Sequence, residues 1–231
     1  MISIPPHDTP RYTPDEPEEE EERMTAAYDL VVVGTSWGGL RALETILKEL
    51  PASFALPLVV VQHRQAGSDD TLARLLGAVT SLPVAEAEDK ALLEAGHVYV
   101  APADYHLMIE STTFVGPRTK IGRPSLALTV DAPVGFSRPS IDVLFQSAAD
   151  AIGRRLIGII LTGANSDGAE GLMSIRDVGG MTIAQDPASS ESPAMPRAAI
   201  ARGGAVLVLA LEKIAPLLVQ LQSGMARPAI H

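Results

Sequence analysis

Short apolar runs rich in β-branched residues alternate along the chain with segments of helical periodicity. Leu30-Val31-Val32-Val33 is the first such run, and its unbroken apolar character predicts a parallel strand buried on both faces. Gly34 ends it. After Gly34-Thr35-Ser36-Trp37-Gly38-Gly39, apolar residues return at Leu40, Leu43, Ile46 and Leu47, the spacing of one helix face. The unit is strand, glycine-rich turn, helix. Such a turn aims backbone N–H groups and the positive helix end at whatever lies above it, which suits a phosphate or an oxyanion.

Pro57 to Gln62 predicts a second buried strand that stops at His63-Arg64 in a polar loop. A helix from about Asp70 to Leu76 follows, then a short strand over Leu82 to Ala85. From Gly96 the pattern changes: His97 to Gly116 alternates apolar and polar positions around Pro102-Ala103-Asp104, which predicts antiparallel hairpins. Residues 117–138, with their Gly, Pro and Arg, read as a loop over one end of the sheet. Ser140 to Ile152 predicts a helix, with Ser140 as N-cap and Ile141, Leu144, Phe145 and Ala148 on one face.

Leu156 to Leu161 is another buried strand, ending in the loop Thr162 to Gly168, and a helix over Ala169 to Val178 is closed by Gly179-Gly180. Met181 to Gln185 is strand-like, 187–196 is a Pro-rich loop, and a helix is expected after Pro196. Val206 to Leu209 and Leu211 to Leu221 read as a last strand and helix. Strands alternating with helices predict a three-layer α/β/α fold, its sheet mostly parallel and doubly wound, with an antiparallel hairpin added.

The 231 residues suffice for one substantial core. Residues 1–26 hold five prolines and the run Glu18 to Glu22, so they are expected to be a disordered, solubilising tail. The catalytic-sized domain is then 27–223, with 224–231 a C-terminal tail. The chain has no cysteine, which excludes a disulfide framework, a thiol nucleophile and a Cys-ligated zinc. A net charge of −10 argues against a nucleic-acid partner. No membrane-length apolar run or signal peptide is evident, so no membrane insertion and a cytoplasmic location are expected.

In a parallel α/β sheet the working site lies beyond the carboxyl ends of the strands. Ser36, His63 and Asp167 each follow a buried apolar run. A serine hydroxyl becomes a nucleophile when a base takes its proton, and the base works best when a carboxylate orients it. In that reading Ser36 attacks, His63 is base and then acid, and Asp167 holds the imidazole. Backbone donors for the oxyanion start at Trp37 N–H. Each residue also has a plain structural reading: Ser36 as an N-cap, His63 as a strand-end histidine bonded to backbone, Asp167 as a turn residue.

The turn fits neither the dinucleotide nor the P-loop fingerprint. It does match the Gly-x-Ser-x-Gly elbow over Gly34 to Gly38, although the order Ser, His, Asp differs from that of α/β-hydrolases. His97 and His106 are expected to be structural or surface residues. No His/Asp/Glu spacing suggests a metal site, and no cofactor is expected.

These segments resemble the catalytic domain of the chemotaxis protein-glutamate methylesterases (CheB type). VVVGTSWGGLRAL, VVVQHR, AGHVYVAPADYHLMI, RPSIDVLFQSAA, GIILTGANSDGAEGL and GGMTIAQDPASSESPAMPRAAI carry the resemblance, in family order, over about Tyr28 to Leu209. It implies hydrolysis of glutamyl methyl esters on methyl-accepting chemotaxis receptors, often with deamidation of glutamines, by the triad Ser36, His63 and Asp167 without a cofactor. Trp37 and Ala164 would supply oxyanion N–H groups; they stand where the family often has threonine and methionine. Arg138, Asp142 and Met195-Pro196 fall in matching motifs and are expected to line the cleft. The family usually carries an N-terminal receiver domain, and the acidic segment before Tyr28 is expected to mark a receiver-less form. A non-catalytic receptor-binding adaptor and a general serine esterase remain alternatives.

Overall fold

A computed structural model describes residues 28–64, 67, 71–114 and 120–223. Both expected tails, 1–26 and 224–231, lie outside the described residues, as does the expected helix start at Asp70.

The chain opens with strand β1 (Leu30–Thr35), all six residues buried, and helix α1 (Gly39–Glu49). Strand β2 (Leu58–Gln62), helix α2 (Thr71–Gly77) and strands β3 (Val84–Glu86) and β4 (Val98–Val100) follow. A hairpin of β5 (His106–Phe114) and β6 (Lys120–Thr129) precedes α3 (Ile141–Ile152), β7 (Leu156–Ile160) and α4 (Ala169–Asp177). The chain then forms β8 (Met181–Gln185), α5 (Ala194–Ala201), β9 (Leu207–Leu209) and α6 (Ile214–Gln222).

Seven strands form one sheet in the order β3-β4-β2-β1-β7-β8-β9, and each neighbouring pair is parallel. Alternate residues of β1 serve opposite faces. Val31 and Val33 join the core under α1, α2 and α6, whereas Leu30 and Val32 join the core under α3, α4, α5 and the hairpin. That two-sided burial explains the unbroken apolar runs. The chain leaves β1 toward β2 on one side and returns to β7 on the other, which makes the carboxyl end of β1 a topological switch point.

Three sequence expectations need correction. The alternating stretch from His97 does not form antiparallel hairpins throughout: β4 pairs in parallel with β2 and β3, and β5 belongs to the antiparallel pair. Its partner β6 lies inside the stretch expected to be loop. Pro124 disguised it, but Pro124 sits beside the register shift between Ser111 and Thr113, where a ladder tolerates proline. Helix α5 begins at Ala194, ahead of Pro196, because a first-turn proline gives up an N–H that had no helical partner.

A candidate active site at the carboxyl ends of three adjacent strands

The site stands over β2, β1 and β7. Thr35, the last residue of β1, is paired in register with Gln62, the last of β2, so Ser36 and His63 leave the sheet side by side. Ser36 does not cap the helix that follows: the N-cap is Gly38, at φ 79 with no side-chain cap bond. Its backbone is instead fixed to the neighbouring loop, with Ser36 N–H donating to Thr162 O at 3.0 Å.

The tight turn requires its glycines. A Cβ on Gly39 would sit 2.0 Å from Gln62 Oε1 and 2.5 Å from Thr35 Oγ1. Gln62 fills that space to good purpose: its Nε2 donates to Ser36 O at 2.8 Å and to His63 O at 2.9 Å. One amide thus ties the two site residues together through their carbonyls. Thr162 Oγ1 similarly donates to Trp37 O at 2.9 Å and accepts from Ser192 N–H at 2.8 Å.

Asp167 is buried, and its carboxylate is saturated with donors. Oδ2 meets His63 Nε2 at 2.7 Å and accepts from Ile141 N–H at 2.8 Å; Oδ1 accepts from Ser140 Oγ at 2.9 Å and Asp142 N–H at 3.1 Å. Burial pushes this carboxyl up, but the His63 bond and the Ile141 and Asp142 N–H groups outweigh it and hold it below the ordinary carboxylate value. The positive end of α3 adds to the same effect. An ionised Asp167 only accepts, so Nε2 of His63 carries the ring proton. Nδ1 is then the acceptor, with Asn165 Nδ2 donating to it at 3.4 Å.

A cavity of about 560 Å³ is lined by Ser36, Trp37, His63 and Ala164, with Arg41 and Glu44 also in its lining. Ser36 and His63 thus face one space, although no hydrogen bond joins Ser36 Oγ to the imidazole. Among the described residues neither Trp37 N–H nor Ala164 N–H donates to another protein group, so two backbone donors at the cavity wall are free. A second cavity, about 340 Å³, has His63, Arg138 and Phe136 in its wall.

Of the other positions expected in the cleft, Arg138 lines the second cavity. Asp142 lies behind Asp167, accepting from Gly171 N–H at 2.7 Å. Met195 is fully buried beneath Gly163. His106 is a buried structural residue, as expected: Nδ1 accepts from Ser140 N–H at 3.2 Å and Nε2 lies 3.1 Å from Ala132 O. Gln62 and the hydroxyl of Ser140 as an Asp167 donor escaped the sequence reading. Gln62 carried a signal, since it ends an apolar run as a polar residue; the second role of Ser140 carried none.

The sequence matches the CheB methylesterase family over residues 31–218. The chain belongs to that family. It is 44% identical over 194 residues to a putative protein-glutamate methylesterase/protein-glutamine glutaminase of Leptospira interrogans, covering 84% of this chain and 95% of that one. It is 41% identical over 203 residues to the protein-glutamate methylesterase FrzG of Myxococcus xanthus, of which it spans 57%. The crystal structure of the Thermotoga maritima CheB methylesterase catalytic domain superimposes with a TM-score of 0.78 at 34% identity, covering 84% of this chain and 98% of that one. The CheB fold is therefore shared over nearly the whole described region.

Proposed function

We propose that this CheB-family chain is a protein-glutamate methylesterase, with Ser36, His63 and Asp167 as its catalytic triad. The observation that carries this is the His63–Asp167 pair at 2.7 Å, with His63 lining the same cavity as Ser36. The catalytic domain is residues 27–223, enclosing the matched span 31–218.

Ser36 Oγ attacks the γ-carbonyl carbon of a methylated glutamate while His63 Nδ1 takes its proton. The tetrahedral oxyanion is received by the free N–H groups of Trp37 and Ala164, each such donor contributing about 3 kcal/mol in comparable sites. Asp167 stabilises the imidazolium that forms. His63 then protonates the departing methoxide, methanol leaves, and a water deprotonated by Nδ1 attacks the acyl-enzyme. Glutamate is released and Ser36 regains its proton. The same sequence serves a glutamine amide, with ammonia as leaving group, in keeping with the glutaminase half of the Leptospira relative's name.

The substrate is a methyl-accepting chemotaxis receptor, presented as an exposed helix of its cytoplasmic bundle, which places the enzyme in the cytoplasm. Among the described residues no helix is long and apolar enough to cross a membrane. A fluorophosphonate probe tests the nucleophile: covalent mass on the peptide containing Ser36, abolished in Ser36→Ala, is expected. Labelling elsewhere, or none in a folded wild type, contradicts it.

A further inference from the structure

Phe136 is out of place as a folding residue. Gly135 and Phe136 form the two-residue tip of a small hairpin in which Val134 and Ser137 exchange both backbone hydrogen bonds, at 2.9 and 3.1 Å. Both tip residues have positive φ, 54 for Gly135 and 67 for Phe136. Such tips favour asparagine and glycine, and an aromatic residue there costs about 1 kcal/mol of backbone strain. Nothing is recovered by burial, because the Phe136 side chain is 103% exposed. A residue that strains the backbone and buries nothing of its own serves something outside the fold.

Its position says what. Phe136 lines the second cavity, Trp37 lines the first, and His63 is in the wall of both. Trp37 is itself 66% exposed, directly after Ser36. Two unburied aromatic side chains thus flank the imidazole from adjoining cavities. Exposed aromatics concentrate binding energy in interfaces.

The sheet limits the form of the partner. The site stands over β2, β1 and β7, whereas the open edges of the sheet are β3 and β9. Among the described residues the seven-stranded sheet offers an extended segment no strand edge over the site. A partner whose backbone is already satisfied, a helix offering side chains from one face, fits this rim.

We infer that Trp37 and Phe136 are the two apolar anchors that seat the substrate helix, gripping side chains on either side of the glutamate presented to Ser36. This rests on the methylesterase reading and specifies how that site holds its protein substrate. The anchors act on the helix rather than on the ester, so they set KM more than kcat.

The test is steady-state methanol release from a methylated chemoreceptor cytoplasmic fragment, with thermal melts of each variant. Phe136→Asn suits the tip backbone and removes the ring. It is expected to raise KM about fivefold to tenfold with kcat within about twofold of wild type, and to leave Tm equal or higher. Trp37→Ala retains the backbone N–H and moves KM in the same direction. Val208→Thr removes a similarly exposed apolar side chain, 46% exposed on edge strand β9, and leaves KM unchanged. An unchanged KM in Phe136→Asn overturns the anchor assignment and spares the methylesterase reading. A lowered Tm overturns it too, by giving Phe136 a folding role. No methanol release by wild type overturns the methylesterase reading, and the anchors with it.

Discussion

Asp142 and Asp167 cap each other's helices. Asp167 stands just before α4, yet its carboxylate takes the Ile141 and Asp142 N–H groups at the start of α3. Asp142, in the first turn of α3, takes the Gly171 N–H of α4 at 2.7 Å. The two helix starts are pulled together at Gly171, where a Cβ would lie 2.5 Å from Phe145 Cβ. The orientation of His63 therefore depends on the packing of two helices, and on two neighbouring carboxylates at positive helix ends.

Burial at this junction makes the pair pH-dependent. Burial, with the Asp167 charge adding to it, pushes Asp142 from its ordinary 3.8 up to about 6, against the Gly171 and Gly168 N–H bonds. In this window the fold binds more protons at Asp142 than the unfolded chain does, so its contribution to stability declines as pH rises from near 4 toward 6. Asp167 acts in the opposite sense, stabilising above the ordinary carboxylate range and losing that effect as pH falls through its depressed value. Asp142→Asn keeps an acceptor for Gly171 and removes one charge. Its Tm relative to wild type is expected to rise between about pH 4 and 6 and to level off above. A constant difference across that range would show that the fold does not raise Asp142 above its ordinary value.

Gly39→Ala tests the turn. The new Cβ would meet the amide oxygen of Gln62 at 2.0 Å, so the amide must move and release the carbonyls of Ser36 and His63. Overpacking of this kind costs about 1–3 kcal/mol. Urea denaturation should show that loss, with a fall in turnover larger than the residual unfolded fraction explains.

Gln62→Leu removes the same tie without crowding. The Ser36 carbonyl keeps the Gly39 N–H at 2.9 Å, but the part-buried His63 carbonyl loses its Gln62 donor, and an acceptor left unmatched costs up to about 1–3 kcal/mol. Turnover should fall while substrate binding is retained, read as lower kcat with KM near wild type. A change in KM alone would place Gln62 in binding instead.

Asp167→Asn removes the negative partner of His63 and weakens the capping of α3. By analogy with other triads the rate should drop about 10³–10⁴-fold. Circular dichroism and a melt separate this from unfolding, since the single amide oxygen can still accept from the Ser140 hydroxyl and the Asp142 N–H while the Ile141 N–H loses its acceptor.

Much of the site is legible in the sequence. Ser36 and His63 stood out because each follows an apolar run, and the pairing of Thr35 with Gln62 turns that sequence position into spatial adjacency. Asp167 follows the third such run and lies seven residues beyond the end of β7, yet the loop returns it to His63. What stayed hidden depends on tertiary packing. Asp142 reads locally as a first-turn acid stabilising its own helix, and only the close approach of α3 and α4 reveals that it caps another. Strand β6 was masked by Pro124, whose tolerance depends on a register shift no local pattern announces. Phe136 gave no sign in the sequence, because its meaning lies in a positive φ and full exposure.

The most direct measurement is methanol release from a methylated chemoreceptor cytoplasmic fragment by wild type and by Ser36→Ala at matched concentration. Release by wild type, reduced by at least about a thousandfold in a folded Ser36→Ala, is the expected result. Release by Ser36→Ala at the wild-type rate would contradict the assignment of Ser36 as nucleophile and, with it, the mechanism built on this site.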